Sequence, residues 1–211
     1  MTSEPISSDP VAALRRADPK LATLIDGRAP LDFATWRTRW KLDPFRSLAR
    51  GIVGQQISGA AAEAIYGRLQ ALIGEREPVA AIAGATDEEL RSIGLSGNKM
   101  ASLRDLSARL LDGRLRLDAI DDLSDDELRG QLTAVRGIGD WTADLFLLVQ
   151  LGRPDILPAG DLGIRQAVQR VYGLERLPTE REVRTIGEAW RPYRSTATAY
   201  LYASLREPDA T

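Results

Sequence analysis

The sequence predicts an all-α fold, and three observations predict it. Helix-start signals recur along the chain, apolar residues return at three- and four-residue steps, and no run alternates apolar with polar residues in the β-branched manner of a strand. Residues 1 to 10, with two prolines and three serines, read as a polar leader. Asp43-Pro44 pairs an N-cap with a proline at the first helical position and opens a helix to about Gln55. Ser58 caps the next, roughly 59 to 73, which Gly74 ends. Thr86 with Glu89, Ser124 with Glu127 and Thr179 with Glu182 are capping boxes, each ahead of an apolar-periodic stretch. Met100, Leu103, Leu106, Leu110 and Leu111 form a stripe expected to be buried on one helix. From Thr142 to Leu151 the chain is almost continuously apolar, so a central helix is expected there. About ten short helices result.

Composition removes whole classes of chemistry. With no cysteine there are no disulfides, thiolate zinc sites, thiol nucleophiles or cysteine-ligated iron–sulfur clusters. With no histidine there is no Ser-His-Asp triad and no imidazole acid or base. Catalysis would have to come from carboxylates, lysine, hydroxyls, aromatic faces or backbone dipoles. The 28 basic and 30 acidic side chains nearly cancel, but they are unevenly placed. Arg91 to Arg116 holds six bases against two acids, and Asp118 to Glu127 holds six acids and no base. Most of this reads as solvated helix faces, and the acidic block as a helix entrance favoured by the macrodipole. No apolar run is long enough to span a bilayer and no signal-peptide core opens the chain, so a soluble cytoplasmic protein is the default; it is expected to be a monomer.

The segment richest in information is Leu132-Thr-Ala-Val-Arg-Gly-Ile-Gly-Asp-Trp-Thr-Ala143. A helix ends near Val135, Gly137 and Gly139 are expected to take angles closed to other residues, and Ile138 plugs the turn into the core. Free N–H groups at such a turn suit an anion, above all a phosphate. Taken alone, a Gly-x-Gly between helices is most simply a plain turn. Asp161, after Pro-Ala-Gly and before a helical stretch, is locally a good N-cap.

The ordered set Gly54-Gln55-Gln56-Ile57-Ser58, Gly94-Leu95-Ser96 with Lys99, GIGDWTA at 137–143, LPAGD at 157–161 and Trp190-Arg191-Pro192-Tyr193-Arg194-Ser195 resembles the helix–hairpin–helix (HhH-GPD) superfamily of DNA base-excision glycosylases. The spacing is similar to its 3-methyladenine DNA glycosylase II (AlkA) branch, across about residues 40 to 205. The resemblance implies a two-lobe helical fold with the active-site cleft between lobes. Residues 36–153 would form the hairpin lobe; 154–211, with the 1–35 segment packed on them, would form the other. Larger members carry an extra α/β lobe, and the roughly 35 residues ahead of the core suggest the reduced form.

Residue by residue, the resemblance makes Asp161, twenty positions after Trp141, the catalytic carboxylate. Trp141 stands where bifunctional relatives place a Schiff-base lysine, which implies hydrolysis without strand cleavage. Its indole, with Tyr202 in place of a second stacking tryptophan and Leu145 in place of a pocket tyrosine, would line the base pocket. Gln56 would be the wedge that fills the gap left by a flipped base. Gly137, Gly139 and Lys99 would meet DNA backbone. The carbonyls of Thr133, Val135 and Gly137 could hold a sodium or potassium ion as the single non-protein group; no cofactor and no iron–sulfur cluster is implied. The partner would be duplex DNA carrying alkylated bases such as 3-methyladenine or 7-methylguanine. Trp190 and Tyr193 read as packing. A hairpin module that only binds DNA, or a glycosylase of different base specificity, uses many of the same residues.

Overall fold

The computed structural model describes residues 9–33 and 43–206, and among these every regular element is helical. The chain divides into two compact units. One, the hairpin unit, is Trp40–Phe146; the other, the aspartate unit, combines Met1–Arg39 with Leu147–Thr211. The polar leader lies outside the described residues up to position 8, and so does the 35/36 boundary.

In the aspartate unit, α1 (Pro10–Ala17) and α2 (Pro19–Gly27) start alike. Asp9 and Asp18 each cap the helix with a carboxylate, and a proline follows at the first helical position. The same device starts α3 (Pro44–Gly54), where Asp43 accepts from the Arg46 N–H. It also starts α5 (Pro78–Gly84), capped by Glu77. In the hairpin unit, α4 (Gly59–Ile73) begins at Ser58 and stops at Gly74, whose φ of 59° reverses the chain. Then come α6 (Asp87–Ser92), α7 (Gly97–Leu111), a 3-10 segment (Leu117–Asp122), α8 (Asp125–Thr133) and α9 (Asp140–Leu145). The aspartate unit resumes with α10 (Leu162–Tyr172), α11 (Glu180–Gly187), a short 3-10 turn (Glu188–Trp190) and α12 (Arg194–Ser204). All three expected capping boxes are formed in full.

Each unit has its own apolar centre. Leu48, Ile52, Leu69, Ile82, Leu90, Leu103, Leu106, Leu128 and Leu132 are buried in the hairpin unit. Each such side chain contributes roughly 1.5–3 kcal/mol relative to exposure. The aspartate unit packs Leu14, Leu21, Ile164, Val168, Val183 and Leu201 around Trp190, which is completely buried, with Tyr193 partly buried beside them. Trp190 donates its indole N–H to Asp18 Oδ2 at 2.9 Å. Tyr172 donates its hydroxyl to the same oxygen.

Two expectations are corrected. Leu111 is 62% exposed, because α7 ends there and its last turn rotates off the core; the buried row instead takes in Ser102 and Ser107. The apolar run after Thr142 is not one regular helix. It is α-helical to Leu145 and widens into a π-helical turn over Phe146–Gln150.

Candidate functional site: hairpin and aspartate

In the hairpin unit, α8 closes with the Thr133 hydroxyl donating to the Arg129 carbonyl at 2.9 Å. The Val135 N–H donates to Leu132 O, and the Ile138 N–H to Val135 O at 3.1 Å. Ile138 is buried at 3% exposure and anchors the turn. Gly137 has φ +77°, where an L side chain is strained. A Cβ there would also stand 2.5 Å from Ser102 Oγ. Gly139 departs from expectation. Its φ of −97° and ψ of 176° are ordinary extended backbone, and a Cβ there would meet nothing within 4 Å. Gly139 is the N-cap of α9, so chain direction is reversed at Gly137 alone.

Beside the turn is a cavity of about 370 Å³ lined by Gln55, Gln56, Ser96, Asn98, Lys99, Ser102, Arg136 and Gly137. The structure thus gathers three of the sequence candidates, Gln56, Gly137 and Lys99. Gln56 is exposed and, at φ 58°, is the one non-glycine among the described residues with positive φ. Lys99 donates from Nζ to the Val53 carbonyl at 2.7 Å, satisfying the end of α3. Burial draws its pKa below the ordinary lysine value. Gln55 donates from Nε2 to Gly137 O at 2.8 Å. Arg136 is held at both ends: its N–H donates to Asp105 Oδ2 at 2.7 Å, and its guanidinium to Asn98 Oδ1 at 3.3 Å. Arg136 and Gln55 were not singled out from sequence, since only the folded turn brings them to the cavity.

Trp141, in the first turn of α9, is 50% exposed, so the plain reading of a core tryptophan fails. Leu145, one turn on, is half-buried. Between them Asp144 is buried and receives Arg129 through Nε at 2.9 Å and Nη2 at 2.8 Å, which ties α8 to α9.

In the aspartate unit, the irregular stretch before Asp161 is pinned by the start of α12. Arg194 grips Asp155 with Nε to Oδ1 at 2.7 Å and Nη2 to Oδ2 at 2.9 Å. Ser195 Oγ accepts from the Ile156 N–H at 3.0 Å and donates to Arg153 O. Thr198 donates to Ile156 O at 3.2 Å. The chain then runs through buried Leu157 and Ala159 to Asp161, whose Oδ1 accepts from the Ile164 N–H at 2.9 Å and caps α10. Asp161 remains partly exposed, next to Leu162 at 57% exposure.

Gly163 makes room for this carboxylate. A Cβ there would lie 3.0 Å from Asp161 Oδ1, 3.0 Å from Leu205 Cδ1 and 3.7 Å from Tyr202 Cε1. Asp161 and the Tyr202 ring therefore border the same small space. Phe33 meets Tyr202 edge-on, with centroids 6.3 Å apart and planes at 83°. Phe33 and Gly163 lie beside Tyr202 and Asp161 and were not singled out from sequence; a lone phenylalanine and a helical glycine send no local signal. Among the described residues, no helix is long and apolar enough to cross a membrane.

A family model described as "HhH-GPD superfamily base excision DNA repair protein" matches residues 49–192. DNA-3-methyladenine glycosylase 1 of Schizosaccharomyces pombe is 31% identical over 178 residues, covering 83% of this chain and 78% of that protein. A probable bifunctional transcriptional activator/DNA repair enzyme AlkA of Mycobacterium tuberculosis is 34% identical over 96% of this chain, which spans only 41% of that relative's length. Among solved structures, a DNA-3-methyladenine glycosidase from Bacillus halodurans superimposes with a TM-score of 0.79 at 31% identity, over 96% of this chain and 91% of that one. A 3-methyladenine DNA glycosylase from Schizosaccharomyces pombe in complex with abasic DNA gives 0.73 at 27% identity, over 96% and 98%.

Proposed function

The chain belongs to the HhH-GPD superfamily of base excision DNA repair proteins, and from that premise we propose a monofunctional glycosylase that flips alkylated bases from duplex DNA and hydrolyses their N-glycosidic bond. The observation that carries the mechanism is Asp161. It is a partly exposed carboxylate fixed by a helix-cap hydrogen bond and bordering an aromatic ring. As the C1′–N bond breaks, its electron pair moves to the departing base and positive charge develops on the deoxyribose. A fixed anion at that place stabilises the charge. The carboxylate also orients a water, whose oxygen bonds to C1′ as its proton passes to Asp161 and on to solvent. An N-alkylated purine is already cationic and becomes neutral on leaving, so no strong general acid is required. That suits a chain without histidine.

In this proposal Trp141 and Leu145 of the hairpin unit contact the base, and so does Tyr202 of the aspartate unit, with the electron-rich rings favouring a cationic base. Gln56 enters the duplex in place of the flipped base. Gly137, Gly139 and Lys99 meet the DNA backbone. The identity of the residue at 141 argues for hydrolysis alone, since an indole cannot form an imine. The protein would work where its substrate is, in the cytoplasm, or with the nucleoid if the cell is bacterial, and as a monomer.

A monovalent cation at the hairpin is compatible with the donors present. The Val135 carbonyl already accepts from Ile138 and the Gly137 carbonyl from Gln55. Each of these oxygens keeps a second lone pair. Together with Thr133 O they could hold a weakly bound sodium or potassium ion, which would offset phosphate charge.

The reaction type is tested on methylated duplex DNA. The expected product is an abasic site in an unbroken strand, with no protein–DNA adduct after borohydride. Strand nicking or a trapped adduct would contradict the assignment of simple hydrolysis.

A further inference from the structure

We propose that Gln55 is a positioning residue, a latch that joins the Gln56 turn to the hairpin, so that gripping the DNA backbone and inserting Gln56 occur as one rigid-body event. This rests on the wedge reading of Gln56 given above.

The turn between α3 and α4 has an unfavourable conformation to maintain. Gln56 lies in the left-handed region at φ 58°, which costs a non-glycine residue roughly 1–2 kcal/mol. Such strain persists only where surrounding contacts over-determine it. Two long-range contacts do so, both reaching the residues just before Gln56. Lys99, 46 positions away, holds the Val53 carbonyl. Gln55, 82 positions from its partner, donates to the carbonyl of Gly137. That carbonyl belongs to the residue at which the hairpin reverses, and the hairpin is rigid there: Gly137 is wedged against Ser102 so closely that a Cβ would stand 2.5 Å from its Oγ. Ser102 in turn donates to Asn98 O at 2.9 Å. Gln56 is thus one residue away from a hydrogen bond to a rigid support, while its own side chain is exposed.

The chemistry of the bond chooses the test. A carbonyl only accepts, so residue 55 must donate. Gln55→Glu keeps the shape, removes the donor and points a carboxylate at an oxygen. Gln55→Met keeps the length and removes the polarity. The readout is a double-mutant cycle with Gln56→Ala, measured as single-turnover release of 7-methylguanine opposite cytosine and, separately, as binding to abasic-site duplex. Gln55→Glu should slow release about tenfold, the scale of one lost hydrogen bond with a carboxylate set against the carbonyl oxygen in its place. Gln55→Met should fall between it and wild type, and the binding of this uncharged variant to abasic-site DNA should stay within about twofold. In the Gln56→Ala background, Gln55→Glu should add almost nothing, because there is no longer a side chain to aim. An undiminished loss from Gln55→Glu in that background would overturn the latch. So would a parallel loss of binding by Gln55→Met, which would mark Gln55 as a direct DNA contact. If Gln56→Ala alone leaves release unchanged, the wedge reading itself falls and the latch with it, a result distinguishable from the other two.

Discussion

Gly137 and Gly139 look equivalent in the sequence and are physically different. Gly137→Ala meets two penalties, a positive φ worth about 1 kcal/mol or more and a contact at 2.5 Å with Ser102 Oγ. It should lower stability by about 2–3 kcal/mol. Gly137→Ala/Ser102→Ala should recover part of that by relieving the contact, which urea denaturation can check. Gly139→Ala has extended backbone and open space to occupy, so stability should change by less than about 0.5 kcal/mol. Salt-dependent DNA binding should nevertheless fall, because the new methyl would stand where the phosphate approaches. Unchanged binding would remove Gly139 from the interface.

Asp18 gives the residue scale its pH dependence. Burial pushes its carboxyl upward, but hydrogen bonds from Tyr172, Trp190, Leu21 and Lys20 outweigh this and hold it below the usual carboxylate range. A group depressed on folding contributes stability that is present above its unfolded pKa and is lost as pH falls through its folded value. The aspartate unit should therefore keep this contribution at neutral pH and lose it progressively below about pH 4. Asp18→Asn, which turns an acceptor toward the Trp190 and Tyr172 donors into an NH₂, should cost about 2–3 kcal/mol at pH 7 and flatten the acid limb. Thermal unfolding against pH reads both.

At the scale of elements, the caps were the most legible feature. Asp43-Pro44, Ser58 and the three capping boxes act within four residues, so their physics is local and survives without tertiary context. Asp9-Pro10, Asp18-Pro19 and Glu77-Pro78 carry the same signal and start helices too. The π-helical turn after Leu145 was not legible, because apolar continuity states that a segment is buried and not how it winds. Nor was Gln55, whose role depends on a carbonyl 82 positions away. The approach to Asp161 is a third such case: it has no regular structure and takes its shape from α12 through Arg194 and Asp155. Arg194→Met should leave the partly exposed Asp155 with Arg191 as its remaining guanidinium partner, lower stability by about 1 kcal/mol, and slow base release beyond what that loss explains. If release at a temperature well below unfolding stays at the wild-type rate, the loop does not depend on this grip.

At the scale of the whole molecule, a near-neutral chain that binds a polyanion should do so through a small footprint rather than a coat of charge. Binding should be moderate and should fall with salt at a slope of only a few phosphate contacts, about −0.9 per contact. A slope near that of a heavily basic protein would contradict it. Family membership was legible from the ordered spacing of the 54–58, 137–143 and 157–161 segments, and the family match over 49–192 supports that reading. The contact of Phe33 with Tyr202 was not legible, since it joins residues from opposite ends of the chain.

The central claim is that one carboxylate runs the hydrolysis, and single-turnover release of methylated bases by wild type and Asp161→Asn tests it most directly. The account predicts loss of about 10³-fold or more in rate with little change in DNA affinity, since a neutral amide can still cap α10 but cannot stabilise the sugar cation. Release by the Asn variant at the wild-type rate would contradict it, and binding by both proteins with release by neither would leave two readings: a different lesion as substrate, or a hairpin module that binds DNA without acting on it.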